Sequence, residues 1–159
     1  MNEKIYVSYL KEKFDRNKIV IPNNINSFRS KPESAFWGSP ENGTYTWKDF
    51  CRDEGFIHYN YCFKFKLKED SFIYQVQDID DLKDIPLTDG KYFGKIIDFN
   101  KLRDQGFDGL ELFDSCIGHM FLPKSKYNDI SDIETCFNMW DCESIAIWNP
   151  DIIIPIEED

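Results

Sequence analysis

Apolar and polar residues alternate most regularly where Phe63, Phe65 and Leu67 are interleaved with Lys64, Lys66 and Lys68. A period of two sends successive side chains to opposite faces of a strand, so this stretch predicts a strand with an apolar face in the core and lysines in water. Phe72, Tyr74 and Val76 repeat the pattern and predict its partner strand, after a turn at Glu69-Asp70. Ile5, Val7 and Tyr9, alternating with Tyr6 and Ser8, predict a short first strand. Residues 34–40 (SAFWGSP) predict a brief aromatic strand closed by Gly and Pro. Short strands are also expected at 108–113 and 120–122, and two β-rich runs at 144–148 and 152–156 flank Asn149-Pro150-Asp151.

The helix signals are short and local. Thr46 followed by Asp49 reads as a capping box opening a helix at Trp47, and Gly55 stops it as a left-handed cap. Residues 78–85 predict an acidic helix halted by Pro86, and Asp98 caps a further helix that ends before Gly106. Ser131 and Glu134 repeat the capping-box spacing for a helix reaching about Asn138. Between the first two strands, residues 16–33 are polar and Asn-rich with Pro22 and Pro32 as breakers, so a long loop is expected there. With no internal repeat or linker, residues 1–159 read as a single domain. The fold class expected is α+β, mostly antiparallel with short helices, because the β–α alternation of a doubly wound sheet is missing.

Composition narrows the functional classes. Of 159 residues, 42% are hydrophobic and 16% aromatic (14 Phe, 8 Tyr and 4 Trp), enough to fill a core and wall a pocket. Nineteen Lys and Arg against 29 Asp and Glu give a net charge of −10, which argues against nonspecific nucleic-acid binding. No apolar run approaches the roughly 20 residues of a membrane helix, and the first residues lack the pattern of a secretory signal. The 5 cysteines (Cys51, Cys62, Cys116, Cys136, Cys142) are odd in number and contain no Cys-x-x-Cys pair. That spacing points away from a zinc cage or a disulfide framework and toward a reducing, cytoplasmic setting.

Neither a Gly-x-Gly-x-x-Gly nor a Walker-type phosphate loop is present, and His58 and His119 lack metal-ligand spacing, so no metal site is expected. Cys116 with His119 remains a possible nucleophile pair on spacing alone. The more informative run is 141–152, where Glu143 enters an apolar strand on the face of Ile145 and Ile147. Two readings of that carboxylate stand: a strand-end Glu tipped into solvent, or an acid in a partly desolvated groove that stabilises a developing positive charge. Asp108 and Glu111 are further candidates for a cleft, although Asp108-Gly109 also reads as a tight turn or bulge. Trp140 and Trp148 are expected in the core.

Gly106-Phe107-Asp108-Gly109, followed by Glu143-Ser144-Ile145-Ala146-Ile147-Trp148-Asn149-Pro150, resembles the C-terminal pattern of ADP-ribosyltransferase-like domains of bacterial and phage type. The aromatic segment ending in Ser39 is similar to that family's second motif, and the first strand lies where the family places its first NAD contact. The resemblance implies split, mostly antiparallel sheets around a cleft that holds NAD as substrate. It implies Glu143 as the catalytic glutamate and Asp141, two residues earlier, as the acid that helps the acceptor. By the same resemblance Ser39 orients Glu143 or the ribose, while Trp37 or Trp47 walls the nicotinamide. Tyr6 and Ser8 stand at the first-strand position, where the family usually has Arg or His. The pyrophosphate then needs another cation, for which Arg29 and Lys31 are the candidates. The activity implied is transfer of ADP-ribose to a protein or nucleic-acid acceptor. The alternative, carried by the charge and small size, is a noncatalytic acidic protein that inhibits a partner by occupancy.

Overall fold

Residues 4–19, 31–32, 34–56, 61–90, 95–114 and 140–156 are described by the computed structural model, and among them the chain forms nine strands and two short α-helices. In chain order these are β1 (Tyr6–Leu10), β2 (Phe36–Pro40), α1 (Trp47–Glu54), β3 (Tyr61–Leu67), β4 (Ile73–Val76), β5 (Leu87–Asp89), β6 (Lys95–Ile97), α2 (Phe99–Asp104), β7 (Gly109–Leu112), β8 (Ser144–Ile147) and β9 (Ile153–Pro155). Seven strands make one sheet in the order β4-β7-β8-β2-β1-β3-β9, and β5 pairs with β6 apart from it. The architecture is α+β and mostly antiparallel, since β4 with β7 is the one parallel pairing among the described residues. The strand expected at 120–122 and the helix expected from Ser131 lie outside the described residues, as do His58, Cys116 and His119.

Local signals produced what they predicted. Asp49 Oδ2 accepts from the Thr46 backbone N–H at 2.9 Å and from its hydroxyl at 2.6 Å, opening α1, and Gly55 closes it at φ 70°. Asp98 caps α2 by accepting from the Lys101 N–H at 3.0 Å. In β3 the alternation places Phe65 fully inside, whereas Lys64 is half-buried and pairs with Glu41 at 3.0 Å instead of facing open water.

Two expectations are corrected. The acidic stretch 78–85 yields only a 3-10 turn at Ile79–Leu82. There the Asp81 carboxylate accepts from the Gln77 and Asp78 N–H groups, and such side-chain bonds offer the backbone an alternative to a longer helix. Nor does β4 pair with β3. It runs parallel to β7, from Ile73 opposite Gly109 to Val76 opposite Leu112, while β3 pairs with β1 and β9. Asp108 secures that arrangement: its carboxylate accepts from the Phe72 N–H at 2.9 Å and from Asn149 Nδ2 at 2.6 Å. Its carbonyl accepts the N–H groups of Trp148 and Asn149. The Asp108-Gly109 pair is therefore a tie between strand ends, not a part of the cleft.

Core residues form two clusters divided by the sheet. Ala146 and Trp148 join Val76, Leu102, Leu110, Leu112, Phe99 and Trp140 in one. Ile145 and Ile147 join Tyr6, Phe36, Phe65, Ile152 and Ile153 in the other. Parity along β8 thus sorts its side chains between two distinct environments.

Candidate functional site

β2 changes partner along its length. Its first residues, Phe36, Trp37 and Gly38, pair with Ile147, Ala146 and Ile145 of β8. Its last, Ser39 and Pro40, pair with Val7 and Tyr6 of β1. Beyond the Val7–Ser39 pair, β1 continues beside β3 alone, from Ser8 opposite Phe63 to Leu10 opposite Tyr61. A strand shared in this way is how one sheet passes into another, and the parting strands leave a wedge. A cavity of about 370 Å³ fills that wedge, lined by residues 7–10 of β1, 36–39 of β2, Lys31, Ala35, Trp47, Trp140, Asp141, Cys142 and Ser144. That volume is at the lower end of small-molecule sites, roughly 300–1,000 Å³.

Its walls are aromatic and its polar groups few. Trp37 and Trp140 meet edge to face with ring centroids 4.7 Å apart, and Trp47, also in the lining, stacks on Phe50. Trp37 Nε1 donates to the Pro32 carbonyl at 3.3 Å, which fixes the ring's edge. Lys31 Nζ lies 5.1 Å from the centre of the Trp37 ring and 3.7 Å from Asp141 Oδ2. The side chains of Lys31 and Asp141 keep 29% and 31% exposure, so this pair stands at the mouth with access to water. Deeper, Ser39 Oγ accepts from the Trp47 N–H at 3.1 Å and lies 3.9 Å from Cys142 Sγ. Ser144 Oγ donates to the Cys142 carbonyl at 2.9 Å. Burial pushes the Cys142 thiol up to about 12, so it remains neutral near pH 7 and lacks the thiolate a nucleophile needs.

Glu143 occupies the opposite face of the strand. It is 7% exposed, its Oε2 accepts from the Thr44 N–H at 3.0 Å, and its own N–H donates to the Tyr45 carbonyl at 2.9 Å. On this face lies Glu111, 1% exposed, whose Oε1 accepts from Tyr6 at 2.9 Å and from Lys4 at 2.7 Å. Gln75 Nε2 approaches its Oε2 at 3.4 Å. Desolvation, ahead of the opposing Thr44 hydrogen bond and Lys4 charge, holds the Glu143 carboxyl above the usual glutamate range, and Glu111 and Asp114 push it the same way. Burial, with Glu111 beside it, likewise raises the Tyr6 phenol far above its ordinary value.

The residues singled out from sequence therefore divide between two faces. Ser8, Lys31, Trp37, Ser39, Trp47 and Asp141 come together around the cavity. Glu143 and Tyr6 belong to the buried network behind it, and Arg29 lies outside the described residues. Glu143 does share the face of Ile145 and Ile147, as its parity requires, but the cavity opens on the other parity. The side chain is buried and hydrogen-bonded, not tipped into solvent, and it is not among the residues that line this cavity. Trp140, Cys142 and Ser144 are among the lining residues sequence reasoning missed, and two-residue spacing back from Ala146, which pairs with Trp37, leads to both Ser144 and Cys142.

Among the described residues, no group of three or more His, Cys, Asp or Glu is arranged to hold a metal ion. No helix among them is long and apolar enough to cross a membrane. Comparison with protein-family models, with curated proteins and with solved structures returns no match to this chain.

Proposed function

We propose that the chain binds NAD in the wedge between β1 and β2, in the manner of an ADP-ribosyltransferase-like protein, and that Asp141 is the carboxylate presented to the bound dinucleotide. One observation carries this reading. Segments from three remote parts of the sequence, singled out by their resemblance to that family, meet around one aromatic-walled cavity: Ser8 of β1, Trp37 and Ser39 of β2, and Asp141 and Ser144 at the entrance to β8. A flat heteroaromatic ring gains from stacking on or edging against indoles, and Trp37 and Trp140 offer such surfaces. Lys31 brings a cation to the same mouth, suited to a phosphate oxygen. In transfer, the bond between the nicotinamide nitrogen and the ribose C1′ breaks with its electron pair leaving on nicotinamide. An acceptor nucleophile, on a protein or nucleic acid, then bonds C1′ and gives up its proton. A carboxylate within reach of the ribose stabilises the positive charge that builds between these events.

A second reading, a noncatalytic acidic protein that inhibits a partner by occupancy, is favoured by the position of Glu143 behind the cavity and by the pairing of Asp141 with Lys31. Titration with NAD and assay of nicotinamide release, alone and with candidate acceptors, separate the two. The transfer reading expects release that Asp141→Asn lowers by about 100-fold or more and Glu143→Gln leaves within a few fold. NAD binding without release in any of these conditions favours occupancy. No NAD binding, with the fold intact, overturns the NAD reading and leaves inhibition of a partner by occupancy, which needs no NAD.

A further inference from the structure

We infer that Glu143 is a positioning residue: from behind the sheet it clamps residues 43–45 and so sets the start of α1, with Trp47, against the cavity. Two hydrogen bonds make the clamp, one from the Thr44 N–H to the carboxylate and one from the Glu143 N–H to the Tyr45 carbonyl. Both join residues about a hundred positions apart to the short connection between β2 and α1. Gly43 makes the approach possible, because a Cβ there would stand 2.7 Å from Glu143 Oε2 and 3.3 Å from its Cδ. Four residues after Gly43, Trp47 opens α1, and its N–H is held by Ser39 Oγ from the cavity side. Adjacent residues of one strand entrance, Cys142 and Glu143, thus flank the same connection from opposite faces, Cys142 through its contact with Ser39.

The environment explains why the side chain is a carboxylate whose charge matters. Lys4 before β1, Tyr6 on β1, Glu111 on β7 and Asp114 after it are the titratable groups felt by Glu143, and Lys4 is already engaged by Glu111. Protonation removes the negative charge that strengthens the bond from Thr44, and the raised carboxyl takes up its proton at a higher pH than an ordinary glutamate. The clamp stands on these contacts alone; its consequence for a ligand rests on the NAD reading above.

Hydrogen exchange at the Thr44 and Trp47 amides of the full chain, expressed as protection factors across pH 4–8, reads the clamp without any ligand. Glu143→Ala is expected to lower protection at Thr44 by about tenfold or more, the size expected from losing one charge-assisted hydrogen bond. Trp47 is expected to follow. Glu143→Gln, which keeps an acceptor oxygen, is expected to restore most of that protection. Gly43→Ala strikes the same contact from the other side, and it decides the matter should Glu143→Ala fail to fold. Unchanged Thr44 protection in Glu143→Ala or Gly43→Ala overturns the inference, as does a Gln variant no better than Ala. NAD affinity measured on the same proteins is expected to fall about tenfold in Glu143→Ala and to recover in Glu143→Gln, in step with protection at Trp47. Loss of protection at Thr44 and Trp47 with wild-type NAD affinity overturns the link to the cavity. A wild-type chain that binds no NAD removes the NAD reading, while the exchange data still judge the clamp.

Discussion

Glu143 carries a cost that its hydrogen bonds only partly offset, because it is an acid buried near a second acid, Glu111. A carboxyl held above its unfolded value binds its proton more tightly in the native state. Stability from this group is therefore fully present below the ordinary glutamate value of about 4.3 and is lost as pH rises through the native value. At pH 7 the ionised form is the destabilising one. Glu143→Gln removes the charge and keeps an acceptor for Thr44, so its thermal midpoint at pH 7 is expected to equal or exceed that of the wild type. The gap should close as the pH falls toward 4. A Gln variant that is less stable at pH 7, with a deficit that widens on acidification, contradicts this account. This is also the residue where sequence reasoning reached furthest and stopped. Strand parity correctly put Glu143 with Ile145 and Ile147, but which parity borders a cavity is fixed by where β2 leaves β8 for β1, and that pairing spans about a hundred residues.

At the scale of elements, legibility followed the range of the interaction that decides each one. α1 was readable because Thr46, Asp49 and Gly55 act within one short segment. β3 was readable because its alternation is internal. The partner of β4 was not, since a turn at Glu69-Asp70 suggests a hairpin while the tie that wins runs from Phe72 to Asp108. Gly38 shows the same limit. In sequence it closes an aromatic strand; in the sheet it gives room to a ring from β3, since a Cβ at Gly38 would meet Phe65 Cζ at 2.8 Å and Cε1 at 2.9 Å. Phe65 is fully buried, stacked near Tyr6 at 5.4 Å and Phe63 at 5.8 Å, so it has little space into which to retreat. Gly38→Ala is expected to cost about 1–3 kcal/mol through overpacking, seen as a lower urea midpoint at unchanged m-value. Adding Phe65→Leu should recover part of the loss. If Gly38→Ala is neutral, the close packing of β2 on β3 at that point is wrong.

For the whole molecule, the excess of acid over base sets a field that no single contact describes. The 29 Asp and Glu outnumber the 19 Lys and Arg. Several ion pairs, such as Lys83 with Asp80, Lys95 with Asp89 and Lys18 with Glu12, sit on exposed side chains. Pairs of that kind contribute roughly 0–1 kcal/mol each, and salt weakens them. Salt also screens the repulsion among the excess carboxylates, which the folded chain holds closer together than the unfolded chain does. The two effects oppose each other, and the sign of the sum is decided by count. Each exposed pair involves one short-range attraction, whereas ten uncompensated negative charges repel one another across the entire surface. At 0.15 M salt the screening length is about 8 Å, short enough to remove most of that long-range repulsion and too long to abolish contacts near 3 Å. Raising ionic strength from about 0.01 M to 0.15 M at pH 7 is therefore expected to raise the thermal midpoint. The gain should shrink near the isoelectric point, about 4.7, where protonation has already cancelled the excess. A midpoint that falls with salt at pH 7 would mean that the exposed pairs, not the net field, dominate the electrostatics of this fold.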